Sequence, residues 1–162
     1  MTGRQQLDDI DLRILSELQR DGRIRINELA ARVGITAPPC LRRVRTLQRS
    51  GAIRAIRAAL DERRLGYEVT TFVLIQLESQ TLPVIEAFEA AIAAVPRFLQ
   101  CWRISGDADF MLRCVAPDVE DMRQQLLQFA ALPNVRKIRS FPVLGVSKDA
   151  PLPIPGHRPT PD

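Results

Sequence analysis

The apolar residues of this 162-residue chain change their spacing part-way along it. Up to about residue 50 they recur every three or four positions, which is the period of a helix with one buried face. From about residue 68 onward, alternating or continuous apolar runs of strand length are interleaved with two more helical stripes. A purely helical segment followed by a mixed one predicts two domains, each with its own core.

The first part of the chain predicts three short helices. Ile14 and Leu18 recur at helical spacing after Asp8, whose side chain suits the N-cap of a helix. The next stretch, INELAARVG, places its apolar residues on one face and stops at Gly34, because glycine readily adopts the positive φ angle of a helix end. Thr36 then suits the N-cap of a third helix.

The third helix is rich in arginine and has a rigid start. Pro38 and Pro39 fall in its first turn, where a backbone amide proton has no partner within the helix, so proline is tolerated and stiffens the chain. The apolar residues expected to face the core are Cys40, Leu41, Val44 and Leu47. The basic residues expected to face outward are Arg42, Arg43, Arg45 and Arg49.

Basic charge is concentrated in this part of the chain. Residues 1–66 hold 14 arginines and 8 acidic residues, whereas residues 67–162 hold 9 basic and 11 acidic residues. Two helices joined by a tight glycine turn, with arginines on the second, are typical of a helix-turn-helix that lies in the major groove of DNA. The alternation in GAIRAIRAAL, which follows, predicts the strands of a wing hairpin. The competing interpretation is a solvated basic face, which many surface helices carry.

The second part of the chain predicts the element order βαββαβ. EVTTFVLIQLE predicts a strand with apolar residues on both faces, and a helical stripe follows it. SGDAD joins the next two strands, RFLQCWRI and DFMLRCV, and Asp118 suits the N-cap of a helix before the last strand, VRKIRSFPVLGV. This order is typical of a ferredoxin-like unit. The inward residues expected are Ile85, Phe88, Ile92 and Val95 in the first helix and Val119, Met122, Leu126 and Phe129 in the second.

Two helices on one face of such a sheet leave its other face open. Because the strands carry apolar residues on both faces, a second copy of the chain is the economical cover, and we expect an obligate homodimer. Trp102, on the strand before SGDAD, is expected in the core, and Ser140 on the last strand is a candidate neighbour of that loop.

Three stretches of the sequence together resemble one known family. They are LDDIDLRILSELQRDGRIRINELAARVGITAPPCLRRVRTLQRSGAIRA at residues 7–55, LGY at 65–67 and SGDADF at 105–110. The chain resembles the leucine-responsive/asparagine regulator (Lrp/AsnC) family of bacterial and archaeal transcription factors over roughly residues 7–150. The resemblance implies an α+β protein. It would have an N-terminal winged helix-turn-helix and a C-terminal ferredoxin-like βαββαβ (RAM) domain that dimerises and often assembles further into octamers.

We accordingly expect four regions in the chain. Residues 1–60 form the DNA-binding domain, 61–67 a hinge linker and 68–150 the effector-binding and oligomerisation domain. Residues 151–162 form a proline-rich tail without periodicity that is expected to be disordered.

The resemblance also implies the site residues. For double-stranded DNA, the recognition helix falls on residues 36–48, and the DNA-facing candidates are Thr36, Pro38, Arg42, Arg43, Arg45 and Arg49. For an effector, which would be an amino acid or related metabolite bound between C-terminal domains, the candidates are Ser105, Gly106, Asp107 and Asp109.

The chemistry of the SGDAD loop suits such an effector. A glycine permits close backbone approach, and the hydroxyl of Ser105 and the carboxylate of Asp107 can accept hydrogen bonds from an ammonium group. Taken alone, GDAD is also an ordinary hairpin signal. Ala108 stands where the family commonly has an aromatic residue, which leaves the identity of the effector open.

Neither catalysis nor a metal or organic cofactor is indicated by the sequence. The lone histidine, His157, lies in the proline-rich tail, and Cys40, Cys101 and Cys114 lack the spacing of metal ligands. With no signal pattern and no apolar run of membrane-spanning length, the chain is expected in the cytoplasm, away from membranes. Two alternatives to an effector-gated regulator are an architectural DNA-compacting protein and, less favoured, a haem-pathway decarboxylase of the same architecture.

Overall fold

The structure is a computed structural model that describes residues 7–155. The chain divides into two compact units. The first runs to Ala59 and resumes at Lys148, and the second is Leu60–Ser147. Of the predicted tail, residues 151–155 are described and group with the first unit, whereas residues 156–162, including His157, lie outside the described residues.

The first unit contains three helices around a small core. They are α1 (Asp9–Arg20), α2 (Ile26–Val33) and α3 (Ala37–Arg49). Residues of the C-terminal segment, among them Leu152 and Ile154, lie beside α1. The fully buried side chains are Ile14, Leu29, Ala30, Val33, Cys40 and Leu47.

Local sequence accounts for the limits of these helices. Asp8 is the N-cap of α1 and forms a capping box, in which its carboxylate accepts a hydrogen bond from the backbone amide of Asp11 over 2.8 Å. Gly34 ends α2 with φ 77°, a left-handed conformation that an alanine would adopt only with strain. The backbone amide of Ile35 then donates to the carbonyl of Ala30 over 3.0 Å, which closes the turn between α2 and α3.

The strand predicted for GAIRAIRAAL is absent. Residues 51–60 are all described, and none of them is in a strand. A hairpin needs a returning strand, but the polar sequence after Leu60 instead forms a 3-10 turn, Arg63–Leu65, that ends at Gly66 with φ 86°. The predicted hinge residues belong to the second unit. There Glu62 accepts hydrogen bonds from the hydroxyl of Thr70 over 3.1 Å and the guanidinium of Arg113 over 2.5 Å.

The second unit is the predicted βαββαβ arrangement. Its four strands form one antiparallel sheet in the order β2-β3-β1-β4, with both helices packed on one face. The elements are β1 (Val69–Leu77), α4 (Leu82–Ala93), β2 (Phe98–Arg103), β3 (Phe110–Ala116), α5 (Val119–Ala130) and β4 (Val135–Pro142).

The core of the second unit lies between the sheet and the two helices. Ile75 of β1 pairs with Phe110 of β3 and with Ile138 of β4, so the inward side chains of three strands meet in one row. The buried residues are Val73, Ile75, Leu77, Ile85, Phe88, Ile92, Phe110, Leu112, Cys114, Ala116, Met122 and Phe129.

Two expected core positions were wrong. Val119 is 74% exposed at the first turn of α5, whereas Gln125 is buried and donates a hydrogen bond to the carbonyl of Val115 over 3.1 Å. A glutamine satisfied by a strand carbonyl therefore shares the inner face of α5 with Met122 and Phe129. Val95 lies beyond the end of α4 and is only partly buried.

Candidate DNA-contacting surface and effector loop

One side of α3 lines a shallow depression with a volume of about 500 Å³, and we call its lining the α3 surface. Its residues follow the spacing of three or four that places side chains on one face of a helix, and all of them are exposed. They are Pro38, Leu41, Arg42, Arg45, Gln48 and Arg49. The opposite face of α3 buries Cys40 and Leu47 in the core, so this orientation is fixed by packing.

Three arginines of the α3 surface are not neutralised by acidic residues of the described part of the chain. Among residues 7–155, no acidic side chain forms an ion pair with Arg42, Arg45 or Arg49. The guanidinium of Arg49 donates to the hydroxyl of Thr46 over 3.3 Å, which orients it without neutralising it. Thr36, the N-cap of α3, is exposed and makes no side-chain capping bond. A surface with this composition is suited to the phosphates and base edges of DNA.

The sequence prediction for Leu41 was wrong. It was expected in the core but is 38% exposed and lies in the middle of the α3 surface. The inward stripe of α3 uses Cys40, Val44 and Leu47, and one further residue along the helix rotates a side chain by about 100°, out of the core. Gln48 was not among the predicted DNA-facing residues, although its spacing from Leu41 and Arg45 identifies the same face.

Arg43 differs from the other candidate arginines because it is paired with acidic residues. One of its terminal nitrogens donates to Asp8 over 2.7 Å and to Asp11 over 2.8 Å, at the start of α1. The pKa of Asp8 is lowered, mainly by the hydrogen bond from the backbone amide of Asp11 and also by Arg43. The hydrogen bonds to Asp11 and Asp8 raise the pKa of Arg43. Arg43 therefore connects α3 to α1 and does not line the α3 surface.

The loop between β2 and β3 carries the candidate effector residues. It borders a cavity of about 280 Å³, whose polar lining residues are Gln80, Arg103, Ser105 and Asp109. Gly106 has φ 126°, a backbone conformation that residues other than glycine rarely adopt. Ser105 and Asp107 are exposed, whereas Ala108 is buried. Ser105, Gly106 and Asp109 thus lie around one cavity.

Asp109 has an evident structural role in this loop. Its carboxylate accepts hydrogen bonds from the backbone amide of Leu77 and from the side-chain amide of Gln80, both over 2.7 Å. Its backbone amide donates to the carbonyl of Ile75, and its carbonyl accepts from the amide of Ile104, both over 2.9 Å. These bonds fix the start of β3 against the end of β1.

The outer face of the sheet, opposite α4 and α5, is partly apolar. The strand register places Phe72, Leu74, Met111, Trp102 and Phe141 on this face. Trp102 was expected in the core but is 38% exposed here, because it pairs with Met111, whose side chain points away from the helices. We call these five residues the open face.

Ser140 is not brought to the effector loop. It pairs with Val73, whereas Ile138 is the β4 residue aligned with Phe110, the first residue of β3 after the loop.

The cysteines give no support to a reactive or metal site. Burial raises the pKa of the Cys114 thiol to about 12 and, with a contribution from Glu89, raises that of the Cys101 thiol to about 11. Thiols with such pKa values hold little thiolate near neutral pH. The part of the chain that the structure describes contains no group of three or more His, Cys, Asp or Glu residues able to hold a metal ion. No helix in the same part is long and apolar enough to cross a membrane.

Both units match models of known protein families. Residues 7–54 match a winged helix-turn-helix DNA-binding domain, and residues 70–153 match the Lrp/AsnC ligand binding domain. The chain belongs to the Lrp/AsnC family. It is therefore a DNA-binding transcriptional regulator with a separate ligand-binding domain.

Individual members of the family are similar over almost the whole chain. The leucine-responsive regulatory protein of Rhizobium meliloti is 43% identical over 151 residues, which cover 93% of this chain and 97% of that protein. The Bkd operon transcriptional regulator of Pseudomonas aeruginosa is 40% identical over 136 residues, or 83% of this chain and 89% of that protein. Relatives of this Lrp/AsnC protein are thus named as a regulatory protein and a transcriptional regulator.

Solved structures give the same result for the fold. A transcriptional regulator from Neisseria meningitidis in complex with L-Met has a TM-score of 0.86 and 28% identity, and the match covers 93% of this chain and 98% of that one. An AsnC family transcriptional regulator from Agrobacterium tumefaciens has a TM-score of 0.84 and 30% identity, with 91% and 97% covered.

Proposed function

We propose that this regulator contacts DNA through the α3 surface, with Arg42, Arg45 and Arg49 on phosphates or guanines and Thr36 and Pro38 at the entering end of the helix. The observation that carries the proposal is that the arginines on one exposed face of α3 have no acidic partner among residues 7–155. Arg43 is left out of the contact set, because both carboxylates at the start of α1 already bind it.

The DNA-bound form is a homodimer on a pseudo-palindromic site. The open face supports this, because Trp102, Phe72 and Phe141 form an apolar surface that needs a cover. A second copy of the same sheet provides a self-complementary cover and places two recognition helices about a two-fold axis. Replacing Phe141 with Glu should lower the mass measured by light scattering to that of one chain, and an unchanged mass would remove this face from the interface.

The effector is an amino acid or a close relative, held at the loop between β2 and β3. Ser105 and Asp107 offer acceptors for its ammonium group, and Gly106 lets the backbone approach it. The relative from Neisseria meningitidis in complex with L-Met supports this class of ligand. Asp109 positions the loop and does not contact the effector, since the backbone of Leu77 and the side chain of Gln80 occupy its carboxylate.

Effector and DNA are coupled by linkage. An effector that binds one arrangement of the C-terminal domains more tightly shifts the protein toward that arrangement, and the arrangement sets the distance between paired recognition helices. The reverse also holds, so operator DNA should change the affinity for the effector by the same factor.

The DNA contacts are tested by substituting one arginine of the α3 surface. Arg45→Ala should weaken operator binding and, if Arg45 holds a phosphate, reduce the slope of log affinity against log salt by about one. Arg123→Ala is the matched control, because Arg123 is exposed but lies on α5 and pairs with Glu120. Equal affinity of Arg45→Ala and the unaltered protein at all salt concentrations would refute the contact.

The effector site is tested by thermal melting of the full chain against the amino acids and their close relatives. A ligand present at a hundred times its Kd stabilises the protein by about 2.7 kcal/mol, which is readily seen as a raised Tm. Asp107→Ala should abolish that increase, and Asp149→Ala, another exposed aspartate, should not. No increase with any compound, with DNA binding intact, would favour an architectural DNA-binding protein.

A further inference from the structure

The α3 surface contains two apolar residues as well as its arginines. Pro38 and Leu41 lie in the first half of α3, and Arg42, Arg45 and Arg49 lie beside and beyond them on the same face. Leu41 is outside the buried cluster of the first unit, to which Cys40, Val44 and Leu47 belong or attach. Its exposure is therefore a feature of this surface and not an edge of the core.

The position of Leu41 along the helix determines what it can meet on DNA. In a helix-turn-helix, the N-terminal residues of the second helix approach the base edges in the major groove. Those edges present hydrogen-bonding groups and one apolar group, the 5-methyl of thymine. A leucine cannot bond to the polar groups, but it gains from excluding water together with a methyl group.

We propose that Leu41 contacts the 5-methyl group of a thymine in each operator half-site and makes that position specific for thymine. This inference rests on the proposed DNA contact of the α3 surface. The flanking Arg42 and Arg45 hold the helix to the DNA without reading this group, and Leu41 supplies the discrimination.

Replacement of thymine by deoxyuridine isolates the contact, because uracil keeps the hydrogen-bonding edges of thymine and lacks only the methyl. An operator is first obtained by selecting random duplex DNA with the full-length protein. Each thymine of one half-site is then replaced singly, and Kd is measured. Loss of one buried methyl group should weaken binding about fourfold at one position, equivalent to about 0.8 kcal/mol at 1.4 kcal/mol per tenfold change.

The variant Leu41→Ala should bind the thymine and uracil operators equally well. Alanine favours the helix, and the side chain is not part of the core, so the variant is expected to fold, as circular dichroism will show. Leu82→Ala, which changes an exposed leucine in the first turn of α4, should keep the fourfold difference.

Two results would overturn the proposal. One is that no single replacement of thymine by uracil weakens operator binding by the unaltered protein. The other is that the replacement weakens binding by Leu41→Ala as much as it weakens binding by the unaltered protein. Failure of this inference is distinguishable from failure of the DNA surface. In the former case Arg45→Ala still weakens binding, and in the latter it does not.

Discussion

Removal of the Arg43 guanidinium should destabilise the first unit and leave the DNA-contacting face intact. Arg43→Met is the informative change, because methionine keeps much of the apolar stem while removing the charge and the hydrogen bonds to Asp8 and Asp11. The change separates a structural arginine from the DNA-contacting arginine that the sequence predicted.

The expected magnitude follows from the exposure of the two acidic partners. The side chain of Asp8 is 52% exposed, so its ion pair contributes only a few tenths of a kcal/mol. The side chain of Asp11 is 12% exposed, and a charge-assisted bond to a mostly buried carboxylate contributes about 1 kcal/mol or slightly more. The loss should therefore be about 1–2 kcal/mol, which lowers Tm by several degrees in a domain of this size.

Urea unfolding followed by far-ultraviolet circular dichroism measures this change. Arg42→Met is the matched control, since Arg42 neighbours Arg43 on α3 and has no acidic partner in the described residues. We expect Arg43→Met to unfold at a lower urea concentration with nearly unaltered operator affinity. We expect Arg42→Met to keep the unfolding midpoint of the unaltered protein and to bind the operator more weakly. An unchanged midpoint for Arg43→Met together with weakened DNA binding would refute the assignment.

The same contact gives a pH dependence of known sign. The pKa of Asp8 is lower in the folded protein than the usual aspartate value, so the stability it contributes is fully present above that usual value, about 4. It is lost as the pH falls through the lowered folded pKa. The backbone amide of Asp11, the larger cause of the lowered pKa, is kept in Arg43→Met, and only the part due to Arg43 is lost. The difference in unfolding free energy between the unaltered protein and Arg43→Met should therefore shrink slightly below about pH 4.

Further predictions concern the backbone turn and the loop. Gly34→Ala should cost about 1 kcal/mol in urea unfolding because φ is 77° there, whereas Gly145→Ala, with no positive φ and open space around its Cβ position, should cost little. Asp109→Ala should destabilise the second unit by about 1.5–3 kcal/mol through the loss of two hydrogen bonds to a carboxylate, as followed by tryptophan fluorescence. Asp107→Ala should leave the stability without effector unchanged, and equal losses for both aspartates would contradict the division of roles.

The order of elements was predictable because local patterns decide it. The N-cap aspartates before α1 and α5 and the glycine after α2 lie where a capping side chain or a positive φ is needed, and the helix limits follow from them. The βαββαβ order then leaves few arrangements for four short strands with both helices on one face. The absent strand at residues 51–60 shows the limit of such patterns, because alternation without a partner strand does not make a sheet.

The roles of individual site residues were less predictable because they depend on residues distant in sequence. Arg42, Arg43 and Arg45 are all arginines and lie within four residues of one another on α3, so the sequence does not distinguish them. Only the approach of α1, with acidic residues more than 30 positions earlier, distinguishes Arg43 from the other two. Asp109 likewise read as a ligand-binding carboxylate in a polar loop, and its partners on β1 and before α4 become neighbours only when the sheet forms.

These contacts also suggest how the effector loop acts on its own domain. Asp109 joins the loop to the end of β1 and, through Gln80, to the chain that enters α4, so a ligand on Ser105 or Asp107 meets a loop that is held at one end. A loop held in this way has little freedom to absorb a bound molecule by local adjustment, because movement of Asp109 breaks hydrogen bonds to a carboxylate. Under the proposed function, binding at this loop then shifts the protein toward one arrangement of its ligand-binding domains. In the proposed mechanism, the end of the loop that Asp109 fixes is therefore the part through which a small ligand influences assembly.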